Sequence, residues 1–284
     1  MSSQTELRLN AAGSFVLGLS ADVGAVVATQ PMDVVKTYVQ KGEWDNLRSQ
    51  FRHCKGFPPV GKLWHGSLAN CVGAIPQGGL PFLINALAEE YIFKSKQLTD
   101  PQLVSNGMMT GVLASCLIAP FDRVSKEHQL HGGTAIDACR RTVREHGILG
   151  LFKAIKPIAI RDSIVFGTFF GARKVVENRL QEYVSHDGAR ETIASAATGA
   201  FAGVLSNPLD RANTLIQSDK EGLYPTIRST FQRVIGAEGI RGLAKGAGTR
   251  SLFMGAYYIA LGYASERIKP YLPQIFWKET SSNS

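Results

Sequence analysis

The chain is poor in the residues that build disulfide or metal scaffolds. Its four cysteines, Cys54, Cys71, Cys116 and Cys139, form no CxxC pair. No Cys/His group has zinc-ligand spacing. Isolated cysteines of this kind are expected as small apolar residues, and no metal or cofactor is expected. The opening MSSQTELRLN lacks the basic-then-apolar order of a secretory signal, and its single arginine beside Glu6 does not suit a cleaved presequence. No nucleophile–base pair and no glycine-rich phosphate loop after a strand is apparent, so an enzyme is not expected. Charge is missing from three long stretches: Pro101–Phe121, Thr192–Leu209 and Leu63–Ala88, the last with His65 inside it. Each is long enough to cross a hydrocarbon core of roughly 30 Å. Ala11–Pro31, Ile155–Phe170 and Ser251–Ser265 are further candidates, interrupted or flanked by charge.

What is present is a basic balance, with formal net charge +8 and pI near 9.4, and a mean hydropathy of −0.02. A basic chain suits an anionic partner: an acidic solute, anionic lipid or nucleic acid. Basic loops such as CRRTVREHG on a membrane protein favour anionic lipid, and no nucleic acid is expected. Near-zero hydropathy on spanning helices implies that one face meets lipid and the other water.

A repeat organises the chain. QPMDVVKTYVQ recurs as APFDRVSKEHQ and as NPLDRANTLIQ. The prolines are Pro31, Pro120 and Pro208, spaced by 89 and 88 residues. Each is followed at +2 by Asp33, Asp122 or Asp210 and at +9 by Gln40, Gln129 or Gln217. Gly18, Gly107 and Ser195 keep the same phase, and Gly107/Gly111 and Gly199/Gly203 are small-xxx-small pairs that let helices approach closely. A short amphipathic segment follows, as at Thr134–Gly147, and then a helix-start pattern: LWHG at Leu63–Gly66, LFKA at Leu151–Ala154, LAKG at Leu243–Gly246. A threefold period of this kind is the mark of a repeat architecture.

The pattern resembles the mitochondrial carrier family over nearly the whole chain, through Pro-x-Asp/Glu-x-x-Lys/Arg with a later glutamine, as at Pro31, Asp33, Lys36 and Gln40. The resemblance implies an all-α membrane protein of three tandem two-helix repeats. These form a pseudo-threefold barrel of six transmembrane helices with short matrix helices, acting as a functional monomer in the mitochondrial inner membrane. The expected division is 1–98, 99–186 and 187–275, with 276–284 a disordered tail. Pro31, Pro120 and Pro208 are expected to kink the odd-numbered helices, so that the charged residues beyond them close a matrix gate. Asp33, Lys36, Asp122, Ser125, Asp210 and Asn213 would form that gate, with Gln40, Gln129 and Gln217. Only the first repeat keeps the basic member; Ser125 and Asn213 replace it elsewhere. The family pairing sets Lys36 opposite Asp210 and leaves Asp33 and Asp122 with weaker, uncharged donors. On the even helices the family's second gate is poorly matched, and Lys174 and Glu177 stand in swapped order.

The substrate site is expected near the membrane midplane. Seven residues past each helix-start glycine position stand Gly73, Arg161 and Phe253, with Gln77, Asp162, Val165 and Tyr257 on the adjacent turn. Arg161–Asp162 reads as the only charged pair at this level, and an arginine in a cavity clamps a carboxylate with two parallel hydrogen bonds. Stretches such as AIRDSIVFGTFFGARKVVEN are similar to the fungal citrate/2-oxoglutarate carrier subgroup, which implies antiport of di- or tricarboxylates. Arg followed by an acidic residue resembles amino-acid carriers instead, and the degenerate gates leave open a non-transporting adaptor. Asp22 stands where other repeats have Gly111 and Gly199, and either contacts substrate or holds a neighbouring helix. The resemblance further implies cardiolipin at Gly66, Lys153, Lys245 and Gly246, with Gly147 and Gly239 supplying amides from the matrix helices. His65 and Ala154 depart from the lysine and glycine of that motif.

Overall fold

A computed structural model describes residues 6–41, 75–93, 98–131, 134–153, 155–218 and 223–280. Helix α1 spans Ala11–Lys41, α3 Asp100–His131 and α7 Asp187–Ser218. Pro31, Pro120 and Pro208 lie inside them, and each helix continues past its proline. In two of the three pairs the second member carries a π-helical turn. Ile75–Gly79 is a π-helical turn that runs into α2, Leu80–Tyr91. Helix α5, Ile155–Phe166, continues through a π-helical turn at Gly167–Ala172 into α6, Arg173–Leu180. Helix α10, Ala247–Ile268, is continuous.

These elements pack in chain order: α1 on α2, α2 on α3, α3 on α5, α5 on α7, α7 on α10, and α10 back on α1. The result is a closed ring. Among the described residues, two short helices lie between members of the ring, α4 at Ala135–His146 and α8 at Ile227–Glu238. Thr134 caps α4 through a reciprocal box with Asp137, and Thr226 caps α8 with Ser229. Such caps satisfy the first amides of a helix. The Thr134 hydrogen bonds also hold the Asp137 carboxyl below its usual range. Both helices end at a glycine of positive φ, Gly147 at 68° and Gly239 at 71°, a backbone conformation that side chains disfavour. A one-turn helix, α9 at Ile240–Leu243, follows α8.

The expected disordered tail is corrected in part. Trp277–Thr280 is a strand paired antiparallel with Glu6–Leu9, in register Glu6 to Thr280. Asn10 donates its amide to the Phe276 carbonyl, and its side chain donates to Ile275, so the ribbon is tied to the start of α1. Among the described residues, the regular structure is therefore helical apart from this one ribbon.

The ring is inverted relative to a water-soluble bundle. On α7, Ser195, Thr198, Ser206, Asn207, Asp210 and Asn213 are buried, while Phe201, Val204 and Leu205 are exposed. On α3, Asn106, Thr110, Ser115 and Arg123 are buried, while Met108, Val112, Leu113, Leu117 and Phe121 are exposed. Two of the described helices are long and apolar enough by composition to cross a membrane, Ala11–Asp33 and Asp100–Val124. The buried polar residues of α7 lower its mean hydropathy, although its outward face is apolar.

Glycines set how closely the pairs approach. A Cβ on Gly111 would lie 2.2 Å from the Asp162 carbonyl oxygen, and one on Gly199 would lie 2.5 Å from that of Met254. Both obstacles are backbone, so they do not yield cheaply. Gly111→Val should destabilise by about 1–3 kcal/mol through overpacking. Gly236→Ala, in α8 with open space around it, should be neutral or gain about 0.5–1 kcal/mol. Thermal unfolding in detergent checks both, and an undisturbed melting temperature for Gly111→Val would contradict the close packing.

Candidate functional site

Four charged side chains from three helices meet inside the ring. On α5, Arg161 Nε donates to Asp162 Oδ1 at 2.7 Å. On α10, Arg250 Nη1 contacts Asp210 Oδ2 at 2.6 Å, and Arg161 Nη1 reaches Asp210 Oδ1 more loosely, at 3.5 Å. Asp210, one turn or less beyond Pro208 on α7, thus offers one oxygen to each arginine. Ser206 Oγ accepts from Arg250 Nε and Nη2, both at 3.2 Å. Each guanidinium thus has a carboxylate against it, which is what burial demands. Asp122 of α3 lies within electrostatic range of Arg161.

Sequence reasoning missed Arg250. It picked Arg161 by its offset from the helix-start pattern, and Arg250 falls one turn earlier on its helix, where the other repeats carry Asn70 and Ile158. Arg161–Asp162 is therefore not the sole charged pair at this depth, which is the correction the structure makes. Arg250 is nonetheless the one charged residue between Gly246 and Glu266, a signal that a search not fixed to one offset would have found. The expected Lys36–Asp210 pair involves a lysine side chain outside those described; the partners seen for Asp210 are the two arginines.

A second polar contact joins the ends of the ring. Tyr257 Oη on α10 donates to the buried carboxylate of Asp22 on α1. The Cβ of Asp22 fits against Gly78, where an added Cβ would lie 2.3 Å away. Tyr257 stacks on Phe253 with centroids 6.0 Å apart. Tyr258 turns the other way. It donates to the Val165 carbonyl and meets Thr168 Oγ1 at 2.9 Å. Phe169 meets its ring edge-on, Phe170 meets Phe169 and Phe82 in the same way, and Val165 packs against the same cluster.

The other sequence candidates are placed as follows. Gln77 is exposed on the π-helical turn before α2. Asp33 is half-buried and Asn213 fully buried. Gly73, Gly66, His65 and Ala154, together with the side chains of Ser125, Gln40, Gln129 and Gln217, lie outside the described residues. Lys174 and Glu177, in swapped order for the family's second gate, pair with each other on α6 at 3.5 Å. Even and odd helices are linked at that end by Arg173, which contacts Glu191 of α7 at 3.2 Å and lies over the Phe169 ring, and by Arg179, which contacts Asp100 of α3 at 3.4 Å.

At the opposite end, Gly246 has φ 81° and precedes α10 without a side-chain cap. Asn207 donates to the carbonyls of Leu243 and Lys245 and so fixes the turn that carries Lys245 and Gly246. Lys153 follows a 3-10 turn at Ile148–Phe152. Arg211 just past Pro208 binds Glu238 of α8 at 2.6 Å and holds that carboxyl below its usual range.

The Asp22–Tyr257 contact is a testable link between first and last repeats. Asp22→Asn and Tyr257→Phe should each lower the melting temperature, and the double change should cost less than their sum. The coupling should be about 1.5–3 kcal/mol, the range for a hydrogen bond to a charged group. Strict additivity would show that the two side chains do not interact.

The sequence profile described as mitochondrial carrier protein matches three times, at residues 8–96, 97–184 and 186–275. Curated relatives span several names. A probable mitochondrial 2-oxodicarboxylate carrier of Dictyostelium discoideum is 26% identical over 250 residues, 82% of each chain. The mitochondrial arginine transporter of Arabidopsis thaliana is 24% identical over 246 residues, 83% of each chain. The mitochondrial glycine transporter of Vanderwaltozyma polyspora is 24% identical over 282 residues, 88% of this chain and 92% of the relative.

Proposed function

The chain belongs to the mitochondrial carrier family, whose members are transporters and not enzymes, and we propose that it exchanges small organic anions, di- or tricarboxylates, across the mitochondrial inner membrane. The observation that carries this reading is the convergence of Arg161 and Arg250 on one carboxylate, that of Asp210. A pair of guanidinium groups that already holds a carboxylate is chemically matched to an anionic substrate. The apolar outward faces of α3 and α7 and their polar interior support a six-helix barrel in lipid around a wet cavity. The three prolines inside long helices support alternating access, in which helix halves move around a central site.

A second reading is kept by Asp22. A buried acid bound to Tyr257 offers an acceptor for a substrate ammonium, with the arginines taking the carboxylate, as in an amino-acid carrier. Proteoliposomes loaded in parallel with dicarboxylates, tricarboxylates and amino acids separate the two. Exchange of labelled acid for internal acid supports the first, exchange restricted to amino acids the second, and no exchange a non-transporting adaptor. Arg161→Ala and Arg250→Ala should each lower exchange by about a hundredfold, as expected when one partner of a buried charge pair is truncated. Arg161→Lys should recover little, since an ammonium cannot reproduce the planar fork. Wild-type rates in either alanine variant would remove the clamp.

Cardiolipin is the lipid partner in this reading, at the starts of the even helices. Free amides at the start of α10 and the adjacent Lys245 attract a phosphate. Lys245 and Gly246 keep both elements of the motif, so this position should bind most tightly. Cardiolipin added to delipidated protein should raise its melting temperature, and Lys245→Ala should blunt the rise more than His65→Ala. Equal losses, or no response to cardiolipin, would count against it.

A further inference from the structure

The ring has three places where one repeat gives way to the next. Two are crossed by the backbone: residues 92–99 run from α2 to α3, and residues 181–186 from α6 to α7. The third lies between α10, the last member of the ring, and α1, the first, so no peptide bond crosses it. Residues 269–276 leave α10 through two short 3-10 turns and arrive at α1 all the same. There the Asn10 amide donates to the Phe276 carbonyl at 2.8 Å. Thr99 and His186 offer their carbonyls to the first turns of α3 and α7, and Asn10 does so for α1, at Ser14. Thr99 and His186 reach that position by peptide bonds from the preceding helix. Asn10 reaches it by a hydrogen bond.

The Asn10 side chain is committed twice. Its Oδ1 caps α1 by accepting from the Gly13 amide at 2.8 Å, while its Nδ2 donates to the Ile275 carbonyl at 2.9 Å. The contact is close: a Cβ on Gly13 would lie 2.7 Å from that of Phe276 and 2.9 Å from its carbonyl oxygen. Trp277 Nε1 turns back to the Leu272 carbonyl at 3.2 Å, and from Trp277 the chain pairs with Glu6–Leu9. A two-stranded ribbon is marginal by itself, but this one is anchored at Asn10. Deeper along the same seam, Ala21 and Ala25 of α1 share a buried cluster with Tyr258 and Leu261 of α10.

We propose that Asn10 and the ribbon are a non-covalent third linker between repeats, which completes the ring where the chain is open and stays closed while solute passes. The other two linkers are covalent, so the motions that admit a solute take place without parting the helix ends they join. The α10–α1 seam obeys the same restriction when its hydrogen bonds persist. The packed ring holds both partners near each other, so a bond that breaks re-forms as an intramolecular event at high effective concentration. Opening at this end then comes from tilting of joined helices and not from a gap between the first repeat and the last.

The test uses full-length protein in detergent and in proteoliposomes. Asn10→Asp keeps an acceptor that caps α1 as well as asparagine does, but loses the donor to Ile275. It should lower the melting temperature by about 2–4 °C, the shift expected for the loss of one such bond in a chain of this size. Leu7→Cys with Glu279→Cys places two thiols at partners in register. Cα atoms directly opposite in an antiparallel pair lie about 4.5–5.5 Å apart, within reach of a disulfide. The single cysteine changes control for the four native cysteines. Added to Asn10→Asp, the oxidised pair should restore the melting temperature. In otherwise wild-type protein it should leave exchange at the rate of the reduced form, read with whichever of labelled 2-oxoglutarate, citrate, arginine or glycine wild type carries. Exchange lost on oxidation and recovered with dithiothreitol would show that the ribbon parts during the cycle, and would overturn the proposal. So would an unchanged melting temperature for Asn10→Asp, a disulfide that forms without restoring it, or a pair that does not oxidise. Should wild type carry none of the four solutes, the melting arm decides alone; should Asn10→Asp not fold, its rescue by the oxidised pair decides.

Discussion

Two arginines buried in the ring must be neutralised, and the way this is done connects most of the structure. An isolated buried charge is too costly to keep, and an ion pair that loses one member is worse than no pair. Arg161 and Arg250 sit on different even helices, and Asp210 on the odd helix between them in the packing order is within reach of both. That single carboxylate therefore fixes three helices relative to one another. It also requires close approach of α7 to α10, which Gly199 and Gly203 permit by bringing backbone against backbone at Met254 and Ser251. Side chains at those glycines would push Arg250 away from Ser206 and Asp210.

Odd and even members are built differently in two of the three pairs. The odd helices are long and carry a proline within them; the even members of the first two pairs carry π-helical turns at Ile75–Gly79 and Gly167–Ala172, while α10 is continuous. A proline frees a carbonyl from the ladder and lets the segments on either side move apart. A π turn shifts the register of the side chains that follow it and is common at functional sites. In α5–α6 the turn follows Arg161 and Asp162 and presents Phe169 and Phe170 to Phe82 and Tyr258. The charged clamp and the aromatic cluster thus occupy successive levels of one continuous element.

The repeat was legible because translation along the chain is a property of sequence alone: three Pro-x-Asp units in phase dictate three equivalent units of structure. The close glycine contacts were legible for a related reason, since small residues four apart on an apolar helix have few other uses. Arg250 was not read, because the offset that singled out Arg161 assumes threefold equivalence, and the arginines lie at different offsets in their repeats. The terminal ribbon escaped for another reason. Neither Glu6–Leu9 nor Trp277–Thr280 has a strand pattern strong enough to be read alone; each is a strand because the closed ring brings the chain ends together.

The repeats do not contribute the same polar groups to the interior, even though Asp210 itself recurs as Asp33 and Asp122. Repeat one contributes an acid, Asp22, at a position that is glycine in the other two; repeat two contributes Arg161 with Asp162; repeat three contributes Arg250, Asp210 and Tyr257. A symmetric ring would present the same group three times and bind nothing with a front and a back. Here the cations lie on the α5–α7–α10 side and the Asp22–Tyr257 contact lies on the α1–α10 side, so α10 is common to both. Tyr257 and Arg250 are seven residues apart on that helix, two turns, which sets them on one face at different depths. A solute moving along the cavity would meet them in turn, and any rotation of α10 that releases one must move the other.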